Sequence, residues 1–231
     1  MTAVLLPTWR TDGDWRDLAL AVHSLAAYAP EVPLLVGWDG PSAPRLEHLG
    51  HPALTVLERP PGLSSAEAFH WLAARTDADG LVMWSDDCVA SPDTVARLLA
   101  DSARLVELGM SPGLVGCRSD FAFGPQNVRS PNGGRSCGAR WDTEDGVLEV
   151  EFAAPFVAWM PRASLADGGP PAPFEWYGDN VLCRRLLDAG RRLFVSTAYV
   201  HHVGMRSSQA AGLTAEDMDR AGQDALAAAS T

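Results

Sequence analysis

Five short apolar runs alternate with helical patterns through the first 120 residues, and that rhythm limits the folds open to the chain. The runs are TAVLLP from Thr2, VPLLVGW from Val32, ALTVLER from Ala53, GLVMWS from Gly80 and GLVGCRS from Gly113. Each is too short for a helix and too apolar for a half-wet strand, so each reads as a strand buried on both faces. Between them, Trp15, Leu18, Ala19, Val22, Leu25 and Ala26 recur at helical spacing, with Asp14 as the expected N-cap and Pro30 as the stop. Ser64 and Glu67 form a capping box before a second helix. Ser91 as cap, Pro92 in the first turn and Gly109 as terminator bracket a third. Strand and helix in alternation predict an α/β fold, a mostly parallel central sheet flanked by helices.

The rhythm breaks after residue 120. Residues 124–146 are rich in Gly, Pro and Asn and read as a long loop, of a kind that is often functional. VLEVEFAAPFVAWMP restores strand character, GGPPAP is a rigid turn, and GDNVLCRRLLDAG is a helix. RRLFVSTAYV is a strand running into His201 and His202, and the end from Thr214 reads as a fraying helix. No internal repeat and no long linker divides the 231 residues, so one domain is expected.

Charge narrows the partners. Eighteen Lys and Arg against 29 Asp and Glu give a net charge of -11, which disfavours a nucleic-acid backbone as partner. No strong nucleic-acid binding is expected. The cysteines at 88, 117, 137 and 183 lack the short spacing of a thiolate zinc site and read as reduced core residues. Cys88 adjoins the acids Asp86 and Asp87, but hard cations prefer oxygen, so it is counted as structural. With no basic, apolar leader and no span of membrane length, a cytoplasmic protein with no transmembrane segment is expected.

The acids Asp86 and Asp87 follow the strand GLVMWS directly. Open α/β sheets bind ligands at the carboxyl ends of their strands. Two carboxylates there suit Mg²⁺ or Mn²⁺. They also suit a hydrated turn, since surface acids are common.

Six blocks together resemble the inverting GT-A glycosyltransferases of the family 2 kind. AVLLPTWR is similar to their opening strand, HSLAAYAP to the helix behind it, and LLVGWDGPS to the second strand with its acid and turn. LVMWSDDCVASPDTVARLL resembles their D-x-D strand, YGDNVLCRRLLDAGRRLFV the segment carrying the base, and AYVHHVGMRSS the terminal histidine motif. The blocks occur in order and cover most of residues 3–208. The resemblance implies a GT-A fold with a nucleotide-binding half over 1–120, an acceptor and catalytic half over 121–208 and a helical tail over 209–231. It implies a metal-dependent enzyme that moves a sugar from a nucleotide sugar to a glycan or small-molecule hydroxyl.

Residue by residue, the resemblance implies that Pro7, Thr8, Asp39 and Asp86 contact the donor nucleotide, with Asp86 facing either its ribose or metal-bound water, and that Asp87 holds Mn²⁺ or Mg²⁺. It gives His202 as a second metal ligand, Asp179 as catalytic base, Arg185 as the arginine on the base's helix and Arg206 as a phosphate contact. The residues themselves leave other roles open. Asp39 is equally a turn acid, Asp179 an N-cap, and a one-residue slip would exchange His202 for His201. Trp9, Trp38, Trp84, Trp141, Trp159 and Trp176 are candidates for stacking on a base or sugar, with Trp176 singled out for the acceptor side. Three departures stand out. Ser85 replaces the first acid of D-x-D, Gly178 stands where an acid usually precedes the base, and Val181 replaces a second Asp. The two around Asp179 motivate an alternative, a nucleotide-binding protein without chemistry. A nucleotidyltransferase ranks lower, because PTWRTDGDW is poor in the Gly and basic residues that grip a triphosphate. The chain has little room for an acceptor domain, so a partner or a homo-oligomer is a possible source of that surface.

Overall fold

Every apolar run of the first half becomes a strand. The computed structural model describes residues 1–8, 15–40, 43–122, 124–128, 146–172, 178–204 and 214–229. In chain order the elements are β1 (Thr2–Pro7), α1 (Arg16–Tyr28), β2 (Leu34–Trp38), β3 (Leu54–Glu58), α2 (Ser65–Ala73), β4 (Gly80–Trp84), β5 (Cys88–Ala90) and α3 (Thr94–Glu107). They continue with β6 (Pro112–Ser119), β7 (Leu148–Val150), β8 (Val157–Pro161), α4 (Ala163–Asp167), α5 (Gly178–Asp188), β9 (Arg192–His202) and α6 (Ala215–Ala229). Most of the expected loop over 124–146, and with it Cys137 and Trp141, lies outside the described residues.

The nine strands among the described residues join one sheet in the order β3-β2-β1-β4-β8-β6-β9-β5, with β7 paired to β9. β1 is parallel to both β2 and β4, with Val4 level with Leu34 and with Val82. β8 runs antiparallel between β4 and β6, so β6 again points the way of β4, and β9 lies parallel to β6. The sheet is therefore mixed and mostly parallel, as the alternation predicts.

Strand alternation divides the core into two layers. Val4, Leu6, Val36, Val82 and Trp84 face α1 and α3, while Ala3, Leu5, Leu35 and Leu81 face α2 and α5. Leu5 and Leu6 are both wholly buried. Truncating either to Ala would cost about 2–5 kcal/mol. Among the described residues no helix is long and apolar enough to cross a membrane.

The helix starts show where tertiary contacts override local signals. The capping box at Ser64 forms as expected: its hydroxyl accepts from Glu67 N–H, and Glu67 accepts from Ser64 N–H. α3 starts later than expected, with Asp93 in the cap position and no side-chain cap. Ser91 and Thr94 instead send their hydroxyls to the Tyr199 carbonyl on β9. α1 has Trp15 in its cap position, and the expected cap Asp14 lies outside the described residues.

Candidate active site at the carboxyl edge of the sheet

β1, β2, β4, β6 and β9 share one direction, so their carboxyl ends meet on one edge. That edge receives Thr8, Asp39, Asp86 and Asp87, Asp120, and His201 and His202 in turn.

On the β2 side, Asp39 makes a buried ion pair with Arg59, 2.9 Å between Oδ2 and Nη2. Arg59 follows β3, and its Nη2 also donates to the Thr8 carbonyl at 3.1 Å. One arginine thus ties together the ends of three strands. Burial pushes the Asp39 carboxyl up, and the Arg59 charge pulls it part of the way back. The other oxygen, Oδ1, is buried and has no hydrogen-bond partner among the described residues. A buried carboxylate oxygen left without a donor is costly, and a ligand N–H or O–H would relieve it.

Thr8 faces both ways. Its carbonyl takes the Arg59 bond, and its hydroxyl donates to Asp86 Oδ2 at 2.9 Å. Thr8 is itself buried. It orients Asp86 by that bond, and Pro7 closes the strand just before it.

On the β4 side, Asp87 faces His202, with Oδ1 3.3 Å from Nε2. The imidazole is held on several sides. Nδ1 is 2.9 Å from the Phe121 carbonyl, so that nitrogen must carry the proton. The ring stacks on Phe156 at 4.8 Å between centroids and meets Phe121 edge-on at 5.5 Å. Asp120 accepts from the His202 backbone N–H at 3.3 Å and pairs with His201 Nδ1 at 2.9 Å. With Nδ1 given to the Phe121 carbonyl, Nε2 is the ring nitrogen left to face Asp87, where it can donate a hydrogen bond when the ring is charged or give its lone pair to a metal ion when the ring is neutral. His202, not His201, is the histidine that meets Asp87.

Cys88 completes the cluster. Its Sγ lies with one Asp87 oxygen and one His202 nitrogen inside 4.8 Å. Burial and the neighbouring Asp87 charge push its thiol well up. The donor set Asp87, Cys88 and His202 fits a divalent ion in chemistry and spacing.

Asp179 lies in the first turn of α5, half-buried. Its Oδ1 accepts from the Asn180 N–H at 2.9 Å, a cap-like bond. Burial pushes its carboxyl up. Among the described residues it makes no ion pair and no direct bond to Asp39, Asp86 or Asp87. A Cβ on Gly178 would come 3.3 Å from Ala172, whose carbonyl accepts from the Ser64 hydroxyl, so α2 and α5 begin side by side. Arg185 spends its guanidinium on the Gly168 and Pro170 carbonyls, a structural clasp. Arg206 lies outside the described residues, as do Trp9 and Trp176. Trp38, Trp84 and Trp159 are buried core side chains.

Arg59, Asp120, Phe121 and Phe156 are not among the residues that sequence reasoning selects. Asp120 follows a strand as Asp39 and Asp87 do, so the same rule would have found it.

No protein-family model matches the sequence, and no curated protein matches it. Solved structures do. GalNAc-T7, crystallised with UDP, GalNAc and Mn²⁺, superposes with a TM-score of 0.67 at 13% identity, covering 87% of this chain and 43% of its own. The 1–349 fragment of S. aureus TarS gives 0.60 at 13% identity over 90% of this chain and 61% of that one. The longer TarS structure gives 0.60 at 13% identity over 97% of this chain and 42% of that one. The chain thus spans less than two thirds of the length of each of these structures. At such identity the likeness speaks for architecture, and the architecture of this chain is the GT-A fold, with a mostly parallel sheet whose carboxyl edge gathers the acids.

Proposed function

We propose that this chain is an inverting, metal-dependent glycosyltransferase that moves a sugar from a nucleoside-diphosphate donor to a hydroxyl of a glycan or small-molecule acceptor. The observation that carries the reading is the facing pair of Asp87 and His202, held 3.3 Å apart with the proton fixed on the far ring nitrogen. A divalent ion held there supplies Lewis-acid stabilisation of the negative charge on the departing diphosphate.

The remaining residues bind, orient and move a proton. Asp39 Oδ1 accepts from the nucleobase or ribose. Asp86, aimed by Thr8, faces the same nucleotide, with Pro7 at its border. Arg206 meets phosphate. Asp179 takes the proton of the acceptor hydroxyl as the new bond forms. Burial raises its proton affinity, which suits a base better than a fully solvated carboxylate does. A single displacement with one base on the face opposite the leaving group inverts the anomeric carbon. The Mn²⁺ and UDP in the GalNAc-T7 structure make a uridine diphosphate sugar with Mn²⁺ the first donor to try.

A second reading, nucleotide binding without transfer, draws support from α5. Val181 there is buried in the core, and Gly178 carries no side chain, so neither supplies a second acid beside Asp179.

A screen of nucleotide sugars with Mn²⁺ separates the two. Transfer or hydrolysis by the wild type is expected, with a loss on the order of 10³-fold in Asp87→Ala and in Asp179→Ala while both fold. Normal turnover in both variants sinks the transferase. Metal-dependent thermal stabilisation by a nucleotide without any turnover favours the binder.

A further inference from the structure

The proposed chemistry uses two of the three donor groups that the fold gathers beside β4. The third, Cys88, is wholly buried and directly follows Asp87. It opens β5, where the antiparallel ladder sets it directly opposite His202. Residues directly opposite carry their side chains on one face, with Cβ atoms about 5 Å apart. Register alone therefore turns the thiol to the imidazole's side of the sheet. The side chains agree: Sγ, an Asp87 oxygen and a His202 ring nitrogen lie within 4.8 Å of one another.

We propose that Cys88 is a third protein ligand of the cation, making a mixed oxygen, nitrogen and sulfur centre that takes Zn²⁺ or Co²⁺ in preference to Mg²⁺. The proposal deepens the metal-dependent reading above and rests on it. Softness decides the preference. Mg²⁺ gives up water reluctantly and wants oxygen ligands, whereas imidazole and thiolate suit Zn²⁺ and Co²⁺. Charge favours the same result. On binding, the thiol releases its proton to solvent and the sulfur gives a lone pair to the ion. Carboxylate and thiolate then balance the two positive charges, leaving a centre with no net charge in a buried place. Cys88 also belongs to the apolar layer that includes Trp84, whose indole N–H donates to the Cys88 carbonyl at 2.9 Å, so the residue is held in position before any ion arrives.

The test is a Co²⁺ titration of the full chain after chelator treatment and dialysis. A sulfur-to-cobalt charge-transfer band in the near ultraviolet is expected, saturating at one ion per chain with one proton released. In Cys88→Ser the band is lost, Zn²⁺ affinity falls on the order of 100-fold, and Mg²⁺ affinity changes by less than about threefold. Co²⁺ uptake without the band overturns the cysteine ligand and leaves the metal-dependent reading standing. A wild type that binds no divalent ion, alone or with UDP, overturns both. If Cys88→Ser does not fold, the wild-type spectrum and the Cys117→Ser, Cys137→Ser and Cys183→Ser variants decide. All three keep the band if Cys88 is the ligand, and loss of the band in any one of them assigns it elsewhere and overturns the proposal.

Discussion

Asp39 and Asp87 end strands that flank β1 in the same sheet, and the chain deals with their charges by opposite means. Asp39 is neutralised from within, by an arginine buried as deeply as itself. Asp87 is set against His202, with its Oδ1 3.3 Å from the imidazole Nε2. The first arrangement carries its own cation and makes a fixed wall. The second offers donor atoms suited to a metal ion. A single edge can thus hold an internal charge pair and a candidate ion-binding pair beyond the two strands that flank β1, provided that something keeps them in register. Thr8 does this, with its carbonyl on Arg59 and its hydroxyl on Asp86.

The sharpest way to break the comparison is to remove the internal cation. Arg59→Met leaves Asp39 buried beside an apolar group. A loss of about 3–5 kcal/mol in urea unfolding is expected. The double variant Asp39→Leu, Arg59→Met should recover most of it, since an apolar pair of similar volume replaces an ion pair at little cost. If Arg59→Met unfolds with wild-type stability, the wall is not held by that pair. Recovery of stability in the double variant should come with loss of nucleotide binding, because Asp39 Oδ1 goes with it.

Much of this was legible in the sequence, for a physical reason. Strands buried on both faces are continuous apolar runs, and a carboxylate at the end of such a run is easily seen. Asp39, Asp86 and Asp87 therefore stand out. Arg59 does not, because LERPPG reads as a strand running out into a turn, and nothing local says that its last cation is buried. Its partners come from β1 and β2, and only the folded sheet brings them together. β5 was hidden for a similar reason. Three residues show no periodicity, and the strand exists only because β9 lies alongside. The consequence reaches the site, since Cys88 looks like a small core residue until the ladder sets it opposite His202. The turn to β8, which runs antiparallel inside an otherwise parallel run, was likewise invisible to the apolar pattern.

The candidate metal side can be disturbed without touching a proposed ligand. Gly204 has φ +78° and ends the β9 segment against Phe121, and a Cβ there would lie 2.2 Å from the Phe121 ring. Gly204→Ala combines a left-handed backbone with a clash against the residue that holds His202 by its carbonyl and its ring. A loss of about 2 kcal/mol is expected, with divalent affinity down on the order of tenfold. Calorimetry of Co²⁺ or Mn²⁺ binding reads the second effect. Unchanged affinity would mean that the Phe121 contacts do not set the ring.

The link between the two halves should cost less. Thr8→Val keeps the shape and the carbonyl but removes the bond to Asp86. About 1 kcal/mol of stability is expected to go. Nucleotide affinity should fall while divalent affinity, measured without nucleotide, stays within about twofold. If both fall together, Asp86 belongs to the ion and not to the nucleotide.

Asp179 gives the smallest effect on stability and the one of opposite sign. Unlike Asp39 it has no cationic neighbour among the described residues, and unlike Asp87 it faces no histidine. Burial alone sets its carboxyl above the ordinary value, so its folded form holds a proton more tightly than the unfolded chain does. Its contribution to stability is then fully present below about pH 3.9, the unfolded value, and is lost as pH rises through the raised folded one. At neutral pH the ionised group is a cost that the fold carries. Asp179→Asn keeps an oxygen for the Asn180 N–H and removes the charge. The variant should match the wild type in acid and melt slightly higher near neutral pH, and in a transfer assay it should be inactive. A melting temperature below the wild type at neutral pH would show that the carboxylate serves mainly as a cap, since a charged acceptor at a helix start is stabilising and its loss would register there.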